Sequence, residues 1–127
     1  GTVLVVEDEA MVRGMVVRIL TRAGYTVLQA GDGEEALRMA ASPAGRGVEL
    51  VVADVVMPHL GGPELVARLR AERPDLAVLF MSGYTERGVD LQDRLDARTA
   101  FVSKPFTAAE LARRVKELLD ARALLQA

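Results

Sequence analysis

"VVADVVMPHLGG", residues 51–62, is an apolar run interrupted by one carboxylate, Asp54, and then broken at Met57-Pro58 and Gly61-Gly62. The apolar part has the length of a buried strand, and the prolines and glycines after it are turn formers. An ionised Asp inside a buried strand is very costly unless it is paired or metal-bound. At the open end of a strand it is cheap and positioned for chemistry. How the other strands end decides between the two.

Outward from this stretch, strand and helix patterns alternate along the whole chain. "TVLVV" (2–6) is a continuous apolar run, as expected for a strand covered on both faces. Met11, Met15, Ile19 and Leu20 then recur at helical spacing, with Gly24 as the stop. "TVLQA" (26–30) is a second strand, closed by the Gly31-Asp32-Gly33 turn, and "EEALRMAA" (34–41) is a short helix followed by the loop "SPAGRG". "ELVVAD" (49–54) is the third strand, and "PELVARLRAE" (63–72) is a helix with Pro63 in its first turn. "LAVLFM" (76–81) and "AFV" (100–102) are strands four and five. In "TAAELARRVKELL", Thr107 and Glu110 have capping-box spacing, and Leu111, Val115, Leu118 and Leu119 form one apolar stripe. Residues 85–98 are polar, offer only Val89, Leu91 and Leu95 for burial, and are expected to form a short or irregular helix. Met11, Met15 and Met39 are expected to fill the core, and His59 to be a solvated loop side chain. Alternating strands and helices mean βαβ units, hence an α/β fold: one parallel sheet with helices on both faces.

Bulk properties narrow the function classes. A chain of 127 residues is one domain with room for a real core. Sixteen basic and eighteen acidic residues leave a net charge of -2, with no basic patch or tail standing out, so direct nucleic-acid binding has little support. The absence of cysteine excludes disulfides and thiolate metal sites. All apolar runs are strand-sized, so no membrane contact is expected of this segment. The chain opens on Gly1 rather than Met and enters a strand at once, so it is expected to be one domain (1–127) cut from a longer protein.

In doubly wound sheets, ligands bind outside the carboxyl ends of the strands. Strand one ends in Glu7-Asp8, strand three in Asp54 and strand four in Ser82-Gly83, while strand five runs into Lys104-Pro105. Three carboxylates, a hydroxyl and an ammonium thus fall on one sheet edge. Clustered carboxylates repel unless a cation sits among them. With only oxygen ligands, the fitting cation is hard and octahedral, Mg2+, which with carboxylates and a phosphate oxygen is the usual arrangement for phosphoryl transfer. Ser82 and Lys104 would serve the remaining phosphoryl oxygens.

Glu7-Asp8, Asp54 with Met57-Pro58, Ser82 and Lys104-Pro105 together resemble the response-regulator receiver domains of two-component signalling, over essentially the whole chain. The resemblance implies a flavodoxin-like (βα)5 fold with strand order 2-1-3-4-5. It implies Asp54 as phosphoacceptor from a phosphohistidine, on a histidine kinase or a histidine phosphotransfer domain. It implies Glu7 and Asp8 as the acidic metal pair for Mg2+, with the Val56 backbone carbonyl as a further ligand. It implies Ser82 as switch hydroxyl, Lys104 as phosphate-contacting lysine, a cis bond before Pro105, and Phe101 as the aromatic switch position. It also implies a cytoplasmic phosphorelay switch, not a conventional turnover enzyme, with phosphorylation-dependent homodimerisation as one expected state. "FMSGYTE" is most similar to receivers attached to hybrid sensor histidine kinases. Val56 and Tyr84, each two residues beyond a site residue, are expected to set how long a phosphoryl group persists.

Three rivals meet specific obstacles. Aspartate-nucleophile phosphatases commonly place a second Asp two residues after the nucleophile, where this chain has Val56. A flavin or nucleotide module would want a Gly- or hydroxyl-rich loop after strand one, where this chain has the acidic "EDEAMV". A docking module that works without phosphorylation has no need of the intact five-point pattern.

Overall fold

The computed structural model of the chain describes residues 1–83 and 97–126. Strands β1 (Thr2–Val6), β2 (Thr26–Ala30), β3 (Val48–Asp54), β4 (Ala77–Ser82) and β5 (Thr99–Ser103) form one parallel sheet in the order β2-β1-β3-β4-β5. Among the described residues, four helices flank it: α1 (Ala10–Arg22), α2 (Gly33–Ala41), α3 (Gly62–Glu72) and α4 (Ala108–Gln126). This is the flavodoxin-like order.

The sheet is buried on both faces because its strands are apolar at consecutive positions, so the period-two alternation splits each between two cores. Val3, Val5, Leu50, Val52, Leu79 and Met81 pack with Val16 and Leu20 of α1 and Leu111, Val115 and Leu118 of α4. Leu4, Val6, Val51, Ala53, Val78 and Phe80 pack with Ala36 and Ala40 of α2 and Leu65, Val66 and Leu69 of α3. Because β1 lies between β2 and β3, the direction in which successive strands are added reverses at β1/β3, and the crevice beyond their carboxyl ends is the switch point of this strand order.

Local chemistry sets the helix ends. Thr107 Oγ1 accepts the Glu110 N–H at 3.1 Å and the Glu110 carboxylate accepts the Thr107 N–H at 3.3 Å, the reciprocal capping box its spacing predicts. At α2, Asp32 accepts the Glu35 N–H at 2.7 Å and Glu35 accepts the Gly31 N–H at 2.6 Å.

Four expectations need correction. Met11 is 87% exposed; the buried ridge of α1 runs through Val16 and Leu20, with Val12 partly buried against the same core. The 42–47 loop contains a 3₁₀ turn, Pro43–Gly47, opened by Ser42, whose side chain accepts the Gly45 N–H. The last helix continues seven residues past Leu119, to Gln126. β4 runs from Ala77 to Ser82 rather than 76–81. The irregular helix expected over 85–98 lies, apart from Ala97 and Arg98, outside the described residues.

Candidate functional site

The carboxyl ends of β1 and β3 bring Glu7, Asp8 and Asp54 together. Each offers a carboxylate oxygen, and these oxygens lie within 4.8 Å of one another. Asp54 is the last residue of β3, so it stands at a strand tip; it is nevertheless buried, at 7% exposure. Its carboxylate is paired: Lys104 Nζ lies 3.1 Å from Asp54 Oδ2 and 3.0 Å from Glu7 Oε2. Both escapes from the cost of a buried charge, the tip position and the ion pair, thus operate at once.

The break after Asp54 has a steric reason. The chain turns back so closely that a Cβ at Gly62 would stand 2.3 Å from the Asp54 carbonyl oxygen. The Gly62 N–H instead donates to the Val55 carbonyl at 3.0 Å, starting α3 directly beneath the acidic site. Met57 and Leu60 turn inward and are buried, Val56 is 55% exposed, and His59 is exposed with φ 68°.

Glu7 is the surprise of the site. It is 1% exposed, the most deeply buried of the three acids. Its Oε1 accepts the Glu9 N–H at 3.1 Å and its Oε2 takes Lys104. Burial pushes its pKa up to about 7; the Glu9 and Lys104 hydrogen bonds oppose this, and the Asp54 charge adds to it. Burial also pulls Lys104 down, but its hydrogen bonds to Glu7 and Asp54 outweigh that and hold it above the ordinary lysine value.

Strands four and five complete the edge. Ser82 ends β4 and is buried, and its carbonyl accepts the Lys104 N–H at 2.8 Å, tying the ends of β4 and β5 together. The Lys104-Pro105 bond is cis. Phe101 stands apart from the acids: half-buried on β5, it packs on Phe80 with ring centroids 5.3 Å apart, on the α2/α3 side of the sheet. Tyr84 lies outside the described residues.

One contact was not singled out from sequence. Arg13 Nη1 donates to the Glu7 carbonyl at 2.7 Å. Its signal is positional: helical side chains lean toward the helix N-terminus, so an arginine in the first turn of α1 reaches back over the strand end.

The donor set is all oxygen and hard, and three carboxylates face one lysine. That matches the preference of Mg2+ for carboxylates over nitrogen or sulfur.

The model of the response regulator receiver domain matches residues 3–116. The chain belongs to that family. It is 45% identical over 120 residues to the sensor kinase CckA of Brucella abortus, a match covering 94% of this chain and 13% of that protein. The crystal structure of the receiver domain from the hybrid histidine kinase CckA superposes with a TM-score of 0.75 at 39% identity, covering 93% of this chain and 99% of that one. A response regulator receiver domain protein from Clostridium thermocellum gives a TM-score of 0.83 at 25% identity, covering 98% of each chain. This receiver thus spans only a minor part of the curated sensor kinase it matches.

Proposed function

We propose that this receiver takes a phosphoryl group from a phosphohistidine, carried by a histidine kinase or a histidine phosphotransfer domain, onto Asp54. Mg2+ would be held by Glu7, Asp8, Asp54 and the Val56 backbone carbonyl. The observation that carries the reading is the Asp54 carboxylate at the β3 tip, within one cation's span of two other acids and in contact with Lys104.

An Asp54 carboxylate oxygen attacks phosphorus in line, an O–P bond forms, and the N–P bond breaks with its electron pair left on the imidazole. When bound, Mg2+ supplies positive charge beside the phosphoryl oxygens and offsets the repulsion among the carboxylates. Lys104, already on Asp54, is placed to follow the negative charge onto a phosphoryl oxygen, and the Ser82 hydroxyl to donate to another. The new group adds about two negative charges. Its pull on Ser82 and Lys104 would act on the joined ends of β4 and β5, with Phe101 against Phe80 as the packing element that responds. Such a domain promotes its own phosphorylation and dephosphorylation. A parent chain of the hybrid-kinase kind is in keeping with the CckA likeness.

Incubation with Mg2+ and a small acyl phosphate should add one phosphoryl mass to the wild type and none to Asp54→Asn, read by intact mass spectrometry. Full-stoichiometry labelling of Asp54→Asn would remove the assignment; an unlabelled, folded wild type would favour the docking-only alternative. After donor removal the same samples report lifetime. Val56, exposed and unable to orient a water, is expected to leave the phosphoryl group long-lived, together with Tyr84, so Val56→Asn with Tyr84→Ala should shorten its half-life. Equal half-lives would end that part of the proposal.

A further inference from the structure

The geometry points to Arg13 as a positioning residue that aims the Glu7-Asp8 pair; this rests on the reading that those acids hold the metal. Every polar main-chain atom of Glu7 has a partner. Its N–H donates to the Ala30 carbonyl at 3.2 Å, and its carbonyl accepts from Arg13 Nη1 at 2.7 Å. Its carboxylate is fixed by the Glu9 N–H and Lys104. The Glu7 carbonyl belongs to the peptide that leads into Asp8, so the arginine sets the plane from which the Asp8 side chain departs. Arg13 is itself held: its own N–H donates to the Glu9 carbonyl at 2.9 Å, starting the hydrogen bonding of α1. Its guanidinium also lies against the end of β2, where a Cβ at Gly31 would be only 3.3 Å from Nη1. The β1–α1 turn carrying two of the three acids is therefore braced by a half-buried cation anchored in the first turn of α1.

Two effects of this guanidinium on a bound cation have opposite signs, which makes the inference decidable. As a positive charge beside the site it repels Mg2+, so if charge were its whole contribution, removing it would tighten binding. As a brace it holds the ligands in place, so removing it should loosen binding. Groups that orient metal ligands typically contribute about 10–100-fold in affinity.

The test is calorimetric titration of Mg2+ into the metal-free protein for wild type, Arg13→Ala, Arg13→Met and Arg13→Lys, with Asp8→Ala as control and circular dichroism to confirm folding. Arg13→Met keeps the aliphatic stem should the alanine variant fold poorly. The expected result is binding weaker by about tenfold in Arg13→Ala and Arg13→Met, partly restored in Arg13→Lys. The phosphorylation rate should return toward wild type at saturating Mg2+. Affinity equal to or tighter than wild type in the alanine and methionine variants, with Asp8→Ala weakened, overturns the role of Arg13 alone. Unchanged affinity in Asp8→Ala overturns the metal assignment and the inference with it.

Discussion

The two poles of the sheet carry the same motif in different surroundings. At the carboxyl end, Lys104 bridges Glu7 of the β1 end and Asp54 of β3, at 3.0 and 3.1 Å. At the opposite end, Arg122 near the end of α4 bridges Glu49 of β3 and Asp75 before β4, at 3.2 and 3.5 Å. In each case one cation joins two carboxylates brought together from distant parts of the chain. What differs is the exposure of the acids: Glu7 and Asp54 side chains are 1% and 10% exposed, Glu49 and Asp75 38% and 41%, whereas Arg122, at 17%, is slightly more buried than Lys104, at 25%. Water screens the second cluster and leaves it a modest staple for α4. In the first, the acids have lost most of their hydration, and cation and acids depend on one another for charge compensation. Burial of the acids, not the pattern of charges, separates the proposed site from a surface staple.

The sharpest way to break this contrast is to remove each cation. Lys104→Met should slow phosphorylation of Asp54 at saturating Mg2+ by at least about a hundredfold, the usual cost of deleting a group that stabilises developing charge. It should also tighten Mg2+ binding, because a competing cation has gone. Arg122→Met should phosphorylate at the wild-type rate and lose only about 1 kcal/mol or less of stability. Acyl-phosphate labelling kinetics and urea unfolding on both variants decide the matter. A large phosphorylation defect in Arg122→Met would mean that the two poles are coupled.

A smaller effect follows from Glu7. Its folded-state pKa of about 7 lies above the ordinary 4.5, so the folded chain holds this proton more tightly than the unfolded chain. The resulting stability is fully present below about pH 4.5 and is lost as pH rises to about 7. Lys104, also raised, loses its contribution only above the ordinary lysine range, outside this window. Metal-free protein should therefore show a falling contribution between these limits, seen as a difference in melting temperature between wild type and a flatter Glu7→Gln. Mg2+ competes with the same proton, so its affinity should weaken as pH drops below about 7. A pH-independent Mg2+ affinity between pH 5 and 8 would show that Glu7 does not take up the proton in competition with the metal.

Much of this was legible in the chain because strand ends are marked by sharp changes of composition. Apolar runs stop at Glu7, Asp54, Ser82 and Lys104, and a parallel sheet places all such stops on one edge. Burial at that edge was not legible. Glu7 and Asp8 are neighbours of the same chemical type, yet one is 1% exposed and the other faces solvent. Only the packing of α1 and the reach of Lys104 tell them apart. Met11 misled for a related reason: its spacing fits the helix, but the sheet meets α1 along Val16 and Leu20. Arg13, and Arg122 with its two acids, depend on contacts between segments that no local spacing announces.

The smallest expected effect lies in the backbone, and it again sets the two poles against each other. Gly24, at the pole away from the site, has φ 99° and closes α1: its N–H donates to the Thr21 carbonyl at 3.0 Å, and the Tyr25 N–H to the Leu20 carbonyl at 3.2 Å. Glycine takes this conformation without steric cost. His59, in the turn after Asp54, also has positive φ, 68°, and its neighbours close a tight loop in which the Leu60 N–H donates to the Pro58 carbonyl at 2.7 Å. A histidine there is strained by about 1–2 kcal/mol. His59→Gly would remove that strain but restore freedom to the unfolded chain, which offsets about 0.5–1 kcal/mol. The expected net is a stabilisation of about 1 kcal/mol or less, and Gly24→Ala should destabilise by about 1 kcal/mol. Urea unfolding of the two single variants reads both. A neutral or destabilised His59→Gly beside a destabilised Gly24→Ala would mean that the exposed imidazole makes up for its backbone. Stabilisation of His59→Gly would instead place stored strain at the turn after Asp54 and none at the far pole.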